Sequence, residues 1–104
     1  MKKIKFPKEL DTETTFNMLF EGIVNLYESA NKLYMRNENK LTKSEIYESI
    51  KNTHSRACGL CDAIRLLGYE VRNDDGVIVT DEYMHKLFAL EQSAETEKKK
   101  ENRA

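Results

Sequence analysis

Residues 42–80 contain the strongest signals in this chain for where helices begin and end. Thr42 and Glu45 stand three residues apart before an apolar run. At that spacing a threonine hydroxyl and a glutamate carboxylate each accept a hydrogen bond from the other residue's backbone N–H group at a helix N-terminus. Gly68 follows a second apolar run, and glycine often ends helices because it adopts the left-handed conformation without steric cost. The segment therefore predicts helical structure with a defined start and a defined end.

Two apolar lines within this segment predict two helices rather than one. Ile46 and Ile50 lie four residues apart, and a second line follows them. The second line consists of Ala57, Leu60, Cys61, Ile64 and Leu67. Residues 52–55 between the lines (NTHS) have the composition of a turn followed by a helix cap. We therefore expect a second helix to start after Asn52 at a new angle.

Two short β-prone runs follow Gly68. Residues 69–72 (YEVR) and 77–80 (VIVT) are separated by NDDG, whose last two residues are a common hairpin turn signal. The pattern predicts a small β-hairpin. Thr80 can then cap a final helix, whose apolar side would consist of Tyr83, Met84, Leu87, Phe88 and Leu90.

A long amphipathic helix is predicted from about Asp11. Its main apolar line, at alternating steps of four and three residues, is Phe16, Phe20, Ile23, Tyr27, Ala30 and Tyr34. A face widened further by leucines favours two contacts, one with the body of the domain and one with a second copy of the chain. The predicted dimer interface is Phe16, Leu19, Phe20, Ile23, Leu26, Tyr27, Tyr34 and Phe88. Burial of the whole face in the core of one monomer is the alternative.

Length and charge define the expected organisation of the chain. The 104 residues favour a basic N-terminal arm at 1–10, one domain at 11–92 and a disordered charged tail at 93–104. The net charge of −1 gives no overall attraction to nucleic acid, but residues 40–72 carry six cations against four carboxylates. No apolar run of membrane-spanning length and no secretion signal is present, so we expect a cytoplasmic protein without membrane contact.

The spacing from Glu45 to Val71 resembles the winged helix-turn-helix of MarR- and PadR-type transcriptional regulators. Ile46 and Ile50 match the apolar pair of the family's second helix. The inner face of its recognition helix and the junction into the wing are matched by Ala57, Cys61, Ile64, Leu67, Gly68 and Tyr69. The resemblance implies a mainly α fold with a small β-hairpin, in which a winged helix-turn-helix is flanked by a long N-terminal helix and a C-terminal helix. It also implies a homodimer.

The same resemblance implies a small dimeric transcriptional regulator that contacts double-stranded DNA through the helix after Asn52. The residues that would face DNA are Thr53, His54, Ser55, Arg56 and Gly59 on that helix, Lys43 and Lys51 near the phosphate backbone, and Arg72 at the base of the wing. Arg56 has the donor geometry for two hydrogen bonds to guanine. Thr53 and Ser55 have hydroxyl groups for phosphates or base edges.

An interaction protein that does not bind DNA is the alternative function. Asp74 and Asp75 at the tip of the predicted wing would repel phosphates, and the first helix is acidic. These features favour a protein partner, for example a host protein bound by a phage-type inhibitor. The same acidic surfaces would then form the contact.

Cys58, Cys61 and His54 are the residues with the most chemical potential. A zinc site would need a fourth ligand, so we expect no metal, and Cys61 fits a core position. A thiol-based redox sensor stays open as an alternative. No catalytic constellation or phosphate-binding loop is present, so we expect neither an enzyme nor a cofactor, and a ligand such as a signalling nucleotide has no motif to support it.

Overall fold

The structure is a computed structural model in which three long α-helices pack together. It describes residues 11–68 and 70–102. The helices are α1 (Thr12–Arg36), α2 (Lys43–Leu66) and α3 (Val79–Asn102). α2 shares long boundaries with both other helices, whereas α1 and α3 share a smaller one. None of these described helices combines the length and the apolar composition needed to cross a bilayer.

The start of α1 confirms the prediction of a helix from about Asp11. The carboxylate of Asp11 accepts a hydrogen bond from the backbone N–H group of Thr14 at 2.7 Å, as an N-cap residue does. At the other end Asn37 adopts the left-handed conformation, and its N–H group donates to the carbonyl of Leu33 at 2.9 Å. The helix is thus closed by residues that satisfy its free backbone groups.

Residues 43–66 form one continuous helix, so the predicted break after Asn52 is wrong. The capping box of Thr42 and Glu45 is present at the start, and Gly68 has the predicted positive φ, 69°, after the end. Inside the helix the Thr53 hydroxyl donates to the carbonyl of Ser49 at 2.9 Å. That bond fits the helical backbone, so a cap-forming residue need not begin a new helix. The buried residues form a single line: Ile46, Ile50, Ala57, Cys61 and Ile64.

The connection from α2 to α3 contains a tight turn, but no β-strand is present among the described residues. The Asn73 carbonyl accepts from the Gly76 N–H group at 3.0 Å, and one antiparallel bridge joins Arg72 to Ile78. Pairing stops there because Val79 already begins α3. The predicted β-hairpin and winged helix-turn-helix are therefore wrong, while the mainly α character is confirmed.

The segment predicted as a disordered tail belongs to α3 as far as Asn102, so that prediction is corrected for residues 93–102. Ala94 is only 1% exposed. The ammonium group of Lys98 lies 4.8 Å from the ring centroid of Tyr47, a cation–π contact with α2. Contacts with α2 therefore order this charged part of the chain. The predicted basic arm at 1–10 lies outside the described residues.

The core consists of two clusters that use all three helices. One contains Ala30, Ile46, Ile50, Ala57, Leu87 and Ala94. The other contains Phe16, Ile23, Cys61 and Ile64. Met84 packs against both clusters, which makes the described core continuous.

Candidate functional site

The eight residues predicted to contact DNA do not form one recognition surface. Ser55, Arg56 and Gly59 are exposed on α2, whereas Thr53 and His54 are half-buried. Nδ1 of His54 lies 3.4 Å from Oε1 of Glu91 on α3, so this side chain faces the neighbouring helix. A continuous helix distributes these residues around its circumference, and part of the set points inward.

The other three predicted DNA contacts already have partners within the chain. Nζ of Lys43 lies 3.1 Å from Oε2 of Glu97. The Arg72 guanidinium donates to the carbonyl of Gly76 at 2.7 Å and to Glu70 at 3.2 Å. Nζ of Lys51 lies 6.0 Å from the Tyr47 ring centroid. A phosphate group would therefore meet cations that already have a neighbouring group in the chain.

Most of the predicted dimer interface lies in the core of the chain itself. Phe16 and Ile23 are buried, and the residues that pack half-buried against the two clusters are Leu19, Phe20, Leu26, Tyr27 and Tyr34. Phe88 is the exception at 52% exposed. The alternative of a wide apolar face used within one monomer therefore describes α1, and the homodimer stays a prediction.

The two cysteines occupy different environments. Cys61 is buried, and this burial raises the pKa of its thiol. Cys58 is exposed, and both thiols are free. Across residues 11–68 and 70–102, no group of three or more His, Cys, Asp or Glu side chains is arranged to hold a metal ion.

Charged side chains are paired along the boundary between α2 and α3. Lys43 pairs with Glu97, His54 lies beside Glu91, and Lys98 lies 3.9 Å from Glu48. The His54 ring also contacts Phe88 edge-on, with 6.2 Å between ring centroids. The named charged side chains at this boundary therefore have partners within the chain.

The boundary between α1 and α2 instead forms an open groove. Its lining residues are Gly22, Asn25, Leu26 and Ser29 from α1, with Arg56 and Leu60 from α2. The helices approach closely here, since a Cβ atom added to Gly22 would lie 2.9 Å from Cδ1 of Leu60. A second depression adjoins the groove at Ser29 and is also lined by Lys32, Leu33, Glu38 and Asn39.

Arg56 is the only charged residue that lines this groove, and within the described chain it has no ion pair or cation–π contact. The other cations of α2 each have one, with Glu97 for Lys43, Tyr47 for Lys51 and Asp62 for Arg65. Arg56 is therefore available to an external anion.

Helix α1 also carries charged side chains without ion-pair partners in the described chain. None of its charged side chains forms an ion pair with a described residue; they are Glu13, Glu21, Glu28, Lys32 and Arg36. Met18, one turn before Gly22, is 62% exposed. The α1–α2 face thus combines unpaired charge with exposed apolar surface, and we take it as the candidate site.

Gly22, Asn25 and Ser29 are absent from the site residues that the sequence predicts. A glycine inside a helix costs about 1 kcal/mol relative to alanine, which usually indicates a packing or functional reason. Steps of three and four residues place all three side by side on one edge of α1. A glycine within the helix, together with small or polar residues on the same edge, was the sequence pattern that could have predicted the groove.

Comparison of the chain with known protein families, with characterised proteins and with solved structures gave no match. The resemblance to MarR- and PadR-type regulators therefore rests on residue spacing alone. The continuous α2 removes the helix break which that spacing implied.

Proposed function

We propose that this chain is a small helical interaction protein whose α1–α2 face binds another protein. The contrast between its two helix boundaries carries the proposal. Charges are paired between α2 and α3, whereas Arg56 and the charges of α1 have no partner in the described chain. Arginine and methionine are enriched in protein interfaces, and this face presents Arg56 and Met18.

DNA binding stays a prediction from the sequence, but the geometry that motivated it is absent from the described chain. α2 has no separate recognition helix, and His54 faces Glu91. Glu21 and Glu28 are exposed on α1, each next in sequence to a groove residue, and would repel a phosphate backbone. A protein partner can match such mixed charges, so the interaction protein is the better supported function.

Site-specific photo-crosslinking in cells that naturally carry this protein tests the proposal. A photo-reactive amino acid replaces Asn25 in the groove of the full chain. The matched control carries the same residue at Lys100, which is exposed on α3 and has no ion pair with a described residue. We expect a covalent protein adduct of discrete mass from position 25 but not from position 100.

Three results would contradict the proposal. Position 25 could give no adduct, an adduct with nucleic acid, or only an adduct with a second copy of the chain. Mass spectrometry separates these results, because a nucleic-acid adduct and an adduct with a second copy differ in mass from each other and from the uncrosslinked chain.

A further inference from the structure

We infer that the partner contributes an amphipathic α-helix which places a carboxylate against Arg56 in the α1–α2 groove. This inference rests on the function proposed above and specifies the chemistry of the partner. Gly22 to Ser29 spans seven residues of α1, which at 1.5 Å per residue is about 10 Å, or two helical turns. A groove of that length between two helices fits the side chains of one more helix.

The walls of the groove determine which helix face fits. Leu26 and Leu60 supply apolar surface, and Ser29 is small enough for another backbone to approach closely. The space over Gly22 is filled by the side chain of Leu60. The partner helix would therefore present small or apolar side chains at steps of three and four residues. The exposed side chain of Met18 extends the apolar surface by one turn of α1.

Arg56 determines the charge of that face. Its planar guanidinium can donate two parallel hydrogen bonds to one carboxylate, a geometry that lysine does not offer. The other five lining residues are uncharged, so the described part of the chain supplies no carboxylate inside the groove. A docked helix that covered Arg56 without an anion would leave a desolvated positive charge unpaired, which is costly.

A carboxylate suits this position better than a phosphate group. Glu21 and Glu28 lie on the exposed side of α1 within one turn of groove residues, and neither forms an ion pair with a described residue. The field of these two carboxylates opposes a polyanion such as DNA near Gly22 and Asn25, whereas the cations Lys32 and Arg36 lie further along α1. A helix with one carboxylate toward α2 and basic residues toward α1 would satisfy both signs of charge.

The test uses a displayed library of amphipathic helices of about 18 residues, roughly five turns, randomised on one face and selected against the full chain. We expect enriched sequences to share one Asp or Glu flanked by small or apolar residues. Arg56→Glu should weaken their binding by about tenfold or more, because it replaces attraction with repulsion at a desolvated contact. Lys100→Glu makes the same change of charge outside the groove and should leave binding unchanged.

A charge exchange completes the experiment. Replacing the shared carboxylate of a selected helix by lysine should weaken binding to the natural chain and restore it to Arg56→Glu. Circular dichroism should be the same for both chains, since Arg56 has no charged or aromatic partner in the described chain.

The inference is overturned if the enriched helices share no carboxylate or bind Arg56→Glu as well as the natural chain. It is also overturned if light scattering shows a dimer that Arg56→Glu dissociates, because the groove would then hold a second copy. A protein adduct from position 25 together with either result would leave the proposed function standing. Absence of that adduct would reject the function whatever the selected helices show.

Discussion

The two long boundaries of α2 are built differently. Toward α3, ion pairs and a cation–π contact join the helices from Lys43 to His54. Toward α1, the described contacts are apolar. Gly22 and Leu60 pack closely there, and no ion pair between described residues joins the two helices. The difference shows that the charged side chains on one side of a helix can be paired within the chain while the other side stays available to a partner.

This difference concerns specificity more than stability. Exposed ion pairs contribute only about 0–1 kcal/mol each, so the α2–α3 boundary still depends on buried apolar residues. Paired charges do fix which residues of two helices lie opposite each other. The unpaired α1–α2 face lacks that internal pairing, which is consistent with a role in recognition.

The largest expected effect is the loss of packing at the α2–α3 boundary. Leu87 is fully buried, and Leu87→Ala should destabilise the chain by about 2–5 kcal/mol in urea or guanidinium unfolding. Leu66→Ala is the control, because Leu66 is 90% exposed and its loss should change stability by less than about 0.5 kcal/mol. Equal effects of the two variants would contradict the described core.

The next effect tests the close approach of α1 to α2. Gly22→Leu should leave the chain about 1–3 kcal/mol less stable than Gly59→Ala does, because the new side chain overlaps Leu60, which must move aside. At Gly59 an added Cβ meets no atom within 4 Å, so Gly59→Ala should stabilise α2 by about 0.5–1 kcal/mol through helix propensity. Thermal and chemical unfolding measure both variants, and an equal gain in stability from the two would contradict the close approach of Gly22 to Leu60.

A smaller effect is expected from the pair His54 and Glu91. A double-mutant cycle with His54→Ala and Glu91→Ala should give a coupling free energy of about 0.5–1.5 kcal/mol at neutral pH. The same cycle on Arg56 and Glu91 is the control and should give no coupling, because Arg56 lines the opposite boundary of α2. Additive effects of the first pair would mean that the α2–α3 contact is not made in solution.

The smallest effect is a pH dependence at the start of α1. Hydrogen bonds from the backbone N–H group of Thr14, and then from its hydroxyl, lower the pKa of Asp11 below its ordinary value of 3.8. A lowered folded-state pKa means that the stabilisation is complete above pH 3.8 and disappears as the pH falls through the folded-state pKa.

Asp11→Asn keeps an N-cap acceptor that does not titrate. Between pH 7 and pH 2 the natural chain should therefore lose more unfolding free energy in urea than this variant. Glu45 has a similarly lowered pKa through Thr42, and it titrates in both chains, so the difference isolates Asp11. Identical pH profiles would show that the cap is not formed.

Local signals in the sequence predicted the starts of α1 and α2 and the end of α2, and the tertiary contacts decided the rest. The predicted cap at Thr80 is wrong, because α3 already begins at Val79. Asp11, Thr42 and Gly68 act at short range, and each does what its residue type predicts. Residues 52–55 also favour a cap locally, but the buried line from Ile46 to Ile64 continues through them and gains more from one helix. The NDDG turn forms, yet Val79 joins a helix because a hairpin needs further strands or a packed face to persist.

The groove could be predicted from the sequence only in part. Its position depends on which edge of α1 meets α2, and the wide apolar face left that choice open. Residues after Gln92 lack an apolar period, so only tertiary contacts with the other helices explain why Ala94 is buried. Arg56 was predicted to be exposed, and the structure agrees.

The unbroken course of α2 limits how the length of this protein can change. A helix of 24 residues is about 36 Å long and turns by about 100° per residue, so one inserted residue near its middle would rotate Cys61 and Ile64 out of the core. An insertion of seven residues would nearly restore their direction but displace them by about 10 Å. An insertion within residues 43–66 should therefore destabilise the fold more than the same insertion in the turn at residues 73–76.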